Sequence, residues 1–287
     1  MPEFTSPLPR PLVDVDWLAK NLTSSNVVVF DASVPPVVPG FLSINKDGSF
    51  RSIPGARRFD YDKEICRPGS SLPHMMPDPE LFQEKVRALG VNQESVIVVY
   101  DDVGLYASPR AWWMLRAMGH EQVAVLNGGL PAWIAAENEV ESSLRTDFTP
   151  GNFTANWNKE LFCDSDAVLR ATSDEQTDII DARSAGRFFG TAPEPRPGCR
   201  SGHMPSALNL PFANVLRDGH LRSEDEVTEL FEAITDKDKN LITSCGSGIT
   251  ACVLTLAAAV AGFPKLSVYD GSWAEWGMEE KLPVVTD

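Results

Sequence analysis

The sequence predicts an α/β fold built from two tandem copies of one domain, each a parallel sheet flanked by helices. Three observations predict it. Short Val- and Ile-rich runs alternate with capped, helix-length segments, the pattern of βαβ crossovers. Four landmarks recur in the same order in both halves. Between the halves, residues 144–159 lack any periodic pattern and include Thr149-Pro-Gly-Asn152, which reads as a linker. The boundaries expected are 1–143 for the first copy and 160–287 for the second.

The first landmark is Val27-Val-Val-Phe-Asp31-Ala-Ser33, matched 150 residues later by Thr177-Asp-Ile-Ile-Asp181-Ala-Arg183. Both are apolar runs ending in Asp-Ala and read as buried parallel strands. The second pairs Ile53-Pro-Gly-Ala56 with Met204-Pro-Ser-Ala207. Pro79–Leu89 then reads as a helix, with Asp78 as N-cap, Pro79 at its first position and Gly90 closing it. Its counterpart is Glu224–Ile234. Val96–Tyr100 and Leu241–Ser244 are the third landmark, again strands. Helices over Pro109–Met118 and Ile249–Ala261 follow them and stop at Gly119 and Gly262. Gln122–Leu126 reads as the next strand. The fourth landmark pairs Leu126-Asn-Gly-Gly-Leu-Pro-Ala-Trp133 with Tyr269-Asp-Gly-Ser-Trp-Ala-Glu-Trp276 at an offset of 143.

Composition narrows the function classes. Of the 287 residues, 43% are hydrophobic and 23% charged, a globular balance that excludes a disordered, collagenous or coiled-coil chain. A net charge of −15 repels nucleic acid and anionic membrane, both polyanions. Met1–Pro11 holds four prolines and no apolar run, so no signal peptide is expected there. Ala251–Gly262, the longest apolar stretch, falls short of the ~20 residues that span a bilayer and reads as a core helix. A cytoplasmic protein is expected. No Gly-x-Gly-x-x-Gly or P-loop sequence supports a nucleotide site.

The five cysteines, Cys66, Cys163, Cys199, Cys245 and Cys252, are odd in number and widely spaced. They form no C-x-x-C and no zinc spacing with histidine, so free thiols and no metal are expected. Cys245 stands apart. It ends a strand and opens Cys245-Gly-Ser-Gly-Ile-Thr-Ala251, just before a helix. Ligands of open parallel sheets bind at that place. Gly246 and Gly248 allow a tight curl, in which the backbone N–H groups of Gly246, Ser247, Gly248, Ile249 and Thr250 can point inward as an anion nest at the helix N-terminus. Both effects favour thiolate over thiol, and the nest could equally hold a persulfide.

At these residues the chain resembles the two-domain rhodanese-type sulfurtransferases, and specifically the 3-mercaptopyruvate-using branch, whose loop reads Cys-Gly-Ser-Gly-x-Thr-Ala. Thiosulfate-using relatives carry Cys-Arg-Lys-Gly-x-Thr, with two cations for a dianion. Gly246 and Ser247 here thus imply that thiosulfate is the poorer donor. Gly202-His-Met-Pro-Ser-Ala207 and Tyr269–Trp276 extend the resemblance over nearly the whole chain. The first copy departs from it: Asp101 stands in place of the cysteine, and the loop to Ala111 counts four residues more than that from Cys245 to Ala251. An aspartate cannot accept sulfur, so this copy is expected to be catalytically silent.

The resemblance also implies site residues. A carboxylate-bearing keto donor calls for planar, bidentate arginines. The segments Asp181-Ala-Arg-Ser-Ala-Gly-Arg187 and Pro193-Glu-Pro-Arg196 match the family's substrate arginines, giving Arg187 and Arg196 that role. Arg183 is expected in a structural ion pair instead. Asp62, His74 and Ser247 correspond to a group proposed in the family to handle protons, with His74 assisting the departing enolate. His203 is expected to be structural, and His120 and His220 lack functional context. Trp112, Trp113, Trp133, Trp157 and Trp276 read as core, as does Trp273 unless it lines the pocket.

The implied reaction is ping-pong transfer of sulfane sulfur through a Cys245 persulfide, with pyruvate released. It needs no cofactor. The acceptor would be a thiol, such as thioredoxin or glutathione, or cyanide, and two joined copies suggest a monomer. A thiosulfate:cyanide sulfurtransferase is the nearest alternative, and a non-enzymatic persulfide carrier or redox-sensing module is the second. The dual-specificity phosphatases that share the fold need Cys-x5-Arg, and Ala251 occupies that place here.

Overall fold

The computed structural model describes residues 8, 9 and 11–286; most of the Met1–Pro11 segment discussed above lies outside the described residues. The chain divides into two compact units. The first runs through Cys66, resumes over Met76–Trp157 and includes Asp218–Leu221; the second takes Arg67–Met75, Asn158–Arg217 and the chain from Arg222 onward. Residues 144–157, expected as linker, thus belong to the first unit. Their backbone is tied to it: the N–H groups of Arg145, Gly151, Phe153 and Asn156 donate to the carbonyls of Ala56, Arg87, Val91 and Met118 at 2.8–3.1 Å. Phe153 is buried against Phe82 and His120. A segment held by backbone bonds and one aromatic anchor shows no hydrophobic period, so sequence pattern alone misplaces it.

The first unit contains β1 (Leu12–Val13), α1 (Val15–Asn21), β2 (Val27–Asp31), β3 (Arg57–Arg58), α2 (Pro79–Ala88), β4 (Val96–Tyr100), α3 (Ser108–Ala117), β5 (Val123–Leu126) and α4 (Gly129–Ala135). The second contains β6 (Phe162–Cys163), α5 (Ser165–Ala171), β7 (Thr177–Asp181), α6 (Ala185–Phe188) and β8 (Leu208–Asn209). After β9 (Leu216–Arg217), and β10 (His220–Leu221) in the Asp218–Leu221 segment of the first unit, come α7 (Glu224–Glu232), β11 (Asn240–Ser244), α8 (Thr250–Val260), β12 (Leu266–Tyr269) and α9 (Ser272–Trp276).

The repeat is visible in the topology. The first sheet is ordered β1-β5-β4-β2-β3 and the other β6-β12-β11-β7-β8, all pairs parallel. Register makes the equivalence residue-specific. Val27 lies opposite Val96 and Asp31 opposite Tyr100; Thr177 lies opposite Asn240 and Asp181 opposite Ser244. Asp101 and Cys245 are therefore the first residues beyond equivalent central strands. Helix α3 begins seven residues after Asp101 and α8 five after Cys245, so the first unit's loop is longer by two residues, not four; the other two lie inside α3.

Local chemistry sets the helix ends. In α2 the Asp78 carboxylate accepts from the Leu81 N–H at 2.8 Å, Pro79 needs no partner for a missing N–H, and Gly90 closes the helix at φ +76°. Ser223 and Glu226 form a capping box on α7. Thr250 through Ala258 of α8 are all buried, which accounts for its unbroken apolar sequence. Among the described residues no helix is long and apolar enough to cross a membrane. Trp112, Trp113, Trp133, Trp273 and Trp276 are all buried, while Trp157 is half-buried.

Candidate active site

The loop after β11 is a tight curl around the Cys245 sulfur. Its Sγ is buried and accepts the N–H of Gly248 at 3.2 Å. Gly248 has φ +79°, a left-handed conformation that explains the glycine. Gly246 is not in that region and has a different reason. A Cβ placed on it would lie 3.2 Å from Nη2 of Arg187. Gly246 thus makes room for a guanidinium directly beside the cysteine. The expectation that both glycines serve backbone curvature holds for Gly248 only.

The loop is braced from the start of α9. The N–H groups of Trp273 and Ala274 donate to the carbonyls of Cys245 and Gly246, each at 2.9 Å. The Cys245 N–H donates to Ser272 Oγ at 3.3 Å, and that hydroxyl donates to the Tyr269 carbonyl at 2.9 Å. Below the loop, the Cys252 thiol donates to the Gly248 carbonyl at 3.3 Å. Ser247 and Gly246 are the half-exposed pair of the loop.

Arg187, from α6, is held by Glu194. Its Nε lies 3.1 and 3.2 Å from the two carboxylate oxygens and its Nη2 2.5 Å from Oε2. The same carboxylate takes Nη1 of Arg183 at 2.8 Å. Arg183 is further locked by Asp181 (Nη2 to Oδ2, 2.6 Å), by the Gly202 carbonyl and by the Trp273 ring 4.0 Å away. Burial works against the Arg183 charge, but Asp181 and Glu194 outweigh it and raise its pKa above the ordinary arginine value. Arg183 therefore occupies the structural ion pair expected of it, and Glu194 joins it to Arg187. Glu194 belongs to no recognisable motif; its place between two prolines and among four arginines is the available signal in the sequence. Arg196 is exposed on the same segment. Arg200 instead ties down the chain after α9, donating to the carbonyls of Trp276, Gly277, Glu279 and Leu282.

His74 has φ +58°, is half-buried, and sits in the Arg67–Met75 segment that clusters with the second unit. Asp62 falls in the first unit; its carbonyl accepts from the Cys66 thiol at 3.5 Å, and burial, with Asp62 and Asp60, pushes that thiol up. His203 bonds the Phe188 carbonyl through Nδ1 at 3.0 Å and stacks on its ring. Cys199 lies within reach of the fields of Arg183, Arg187 and Arg196; burial, then Glu194, raises its pKa and the arginines pull it back. Among the described residues no cluster of His, Cys, Asp or Glu is arranged to hold a metal ion.

The equivalent loop of the first unit is also an anion cradle, already filled. Oδ1 of Asp101 accepts the N–H groups of Val103 and Gly104 at 3.1 and 3.0 Å. Oδ2 accepts those of Tyr106, Ala107 and Ser108 at 2.8–3.0 Å and the Ser108 hydroxyl at 2.7 Å. The Leu130 N–H braces the Asp101 carbonyl at 3.0 Å, as Trp273 braces Cys245.

A family model for the rhodanese-like domain matches residues 14–136 and again 164–279. The chain belongs to the rhodanese family. It is 40% identical over 273 residues to 3-mercaptopyruvate sulfurtransferase of Escherichia coli, covering 95% of this chain and 96% of that protein. It is 38% identical over 278 residues to thiosulfate sulfurtransferase of Bos taurus, covering 93% and 92%. The crystal structure of SseA from Escherichia coli, described as a 3-mercaptopyruvate sulfotransferase with the rhodanese fold, superimposes with a TM-score of 0.80 at 38% identity, covering 92% of this chain and 99% of that one. Such close values for relatives with different donors mean that overall similarity does not select the donor; the loop chemistry must.

Proposed function

We propose that this rhodanese-family protein is a 3-mercaptopyruvate sulfurtransferase with Cys245 as its nucleophile. The observation that carries the reading is Arg187 packed against Gly246, a carboxylate-binding group one residue from the reactive thiol, in a loop whose positions 246 and 247 supply no cation. The relatives named for 3-mercaptopyruvate support it.

Arg187, with Arg196, holds the donor's carboxylate and ketone. The Cys245 thiolate attacks the donor sulfur. The carbon–sulfur bond breaks and its electron pair passes to the carbon as the enolate of pyruvate, which takes up a proton. The transferred sulfur stays on Cys245 as a persulfide, its charge stabilised by the N–H groups of residues 246–250, fixed before the reaction begins. A thiol such as reduced thioredoxin or glutathione, or cyanide, then attacks the outer sulfur and restores the Cys245 thiolate. The family resemblance gives Ser247, His74 and Asp62 the proton-handling role, and the second-unit placement of the His74 segment supports it for His74. The working form is a cytoplasmic monomer.

The test is pyruvate release from 3-mercaptopyruvate with a thiol acceptor, run beside thiocyanate formation from thiosulfate and cyanide. The first rate should dominate and should vanish in Cys245→Ser. A dominant thiosulfate rate would assign the other donor; substantial pyruvate release by Cys245→Ser would remove Cys245 from the chemistry.

A further inference from the structure

We propose that Glu194 sets the charge preference of the donor site by neutralising Arg187 from behind. The proposal rests on the sulfurtransferase reading for its substrates but not for its geometry. Asp181, Arg183, Glu194 and Arg187 form one continuous chain of alternating charges, with three of the four side chains no more than 2% exposed and only Arg187, at 21%, reaching solvent. The chain sums to zero. Glu194 takes the Nε–Nη2 side of Arg187, leaving the Nη1–Nη2 edge as the face available to a ligand, and Nη2 is the atom nearest Gly246.

Two consequences follow for an arriving anion. It meets a guanidinium fixed in orientation, matched to a planar carboxylate. It also meets a guanidinium whose charge is already paired with a buried carboxylate, so the full extra attraction for a second negative charge is missing. Exposed Arg196 is then the one site arginine without that buried counter-charge. Such a site suits a monoanion such as an α-keto carboxylate and penalises a dianion such as thiosulfate, independently of the absence of cations at positions 246 and 247.

Glu194→Gln keeps the shape and one acceptor oxygen while removing the charge. The ratio of kcat/KM for thiosulfate to that for 3-mercaptopyruvate should rise about tenfold, whereas Glu194→Asp, which retains the charge, should leave the ratio near the parent value even as both rates fall. A second readout does not depend on which donor is natural: alkylation of Cys245 by anionic iodoacetate relative to neutral iodoacetamide should rise severalfold in Glu194→Gln and not in Glu194→Asp. Unchanged ratios in both assays, in a Glu194→Gln protein with parent circular dichroism and melting temperature, would overturn the proposal. If Glu194→Gln misfolds, raised salt applied to the parent enzyme replaces it; iodoacetate selectivity insensitive to salt would then count in favour of a charge-compensated site, and a steep loss against it. A parent enzyme that releases no pyruvate would instead refute the donor assignment and leave the alkylation test standing.

Discussion

Replacing Asp101 by Asn tests whether the first unit's strand-end loop is held together by its own carboxylate. The parent side chain is fully buried and accepts six hydrogen bonds, two on Oδ1 and four on Oδ2. Asparagine fits the same space but carries one acceptor oxygen. The less costly orientation keeps that oxygen on the Tyr106–Ser108 side and turns the amide N–H groups onto the N–H groups of Val103 and Gly104. Two buried donors are then orphaned, at about 1–3 kcal/mol each, and the remaining bonds lose their charge assistance. A destabilisation of about 3–5 kcal/mol follows, the range found when one partner of a buried ionic network is removed. Urea unfolding followed by tryptophan fluorescence reads it directly, since Trp112, Trp113 and Trp133 are buried in the same unit. Hydrogen exchange on the amides of residues 103–108 localises it. A shift below about 1 kcal/mol, with those amides still protected, would refute the account of the loop as a carboxylate-filled cradle.

Two further perturbations are specific to the second unit. Gly246→Ala should leave stability nearly unchanged, because its backbone is not left-handed, while the new methyl group displaces Arg187; KM for 3-mercaptopyruvate should rise about fivefold, or ~1 kcal/mol of binding, with kcat less affected, as steady-state kinetics will show. Burial pushes the Cys163 thiol up to about 12, with Asp164, Asp270 and Glu275 adding to it and a bond from Ser267 opposing it. Because the raised value keeps it a thiol, only about one molecule in ten thousand is thiolate there at pH 8, and peptide-resolved alkylation should leave Cys163 unmodified at pH 8 and label it roughly a hundredfold faster at pH 10.

The fold was legible because its cues are local and repeated. Asp31 and Asp181, Gly119 and Gly262, Trp133 and Trp276 mark the same points in two copies, and the strand registers carry the equivalence through to Asp101 and Cys245. The cysteine loop was legible for the same reason: strand end, glycines and helix start are contiguous. What escaped was long-range or shared. Glu194 acts by bridging two arginines from other parts of its segment, which no spacing rule encodes. The role of Gly246 as space for Arg187 requires knowing which side chain lies across from it. Residues 144–157 carry no period because their attachment is through backbone N–H groups.

The two units use one architecture with opposite solutions for the negative charge at the strand end. In the first, the Asp101 carboxylate itself takes the N–H groups of Val103, Gly104, Tyr106, Ala107 and Ser108 and the Ser108 hydroxyl. In the second, one N–H, that of Gly248, reaches Cys245 Sγ at 3.2 Å, and the side chain is too short to fill a cradle as the carboxylate does. A loop so arranged gains from the arrival of one more atom bearing negative charge, which is what a persulfide's outer sulfur is. The exchange of aspartate for cysteine therefore changes the hydrogen bonding of the whole loop and not the strand-end residue alone. It makes the first unit's loop self-satisfied, with the Asp101 carboxylate taking five backbone N–H groups and the Ser108 hydroxyl.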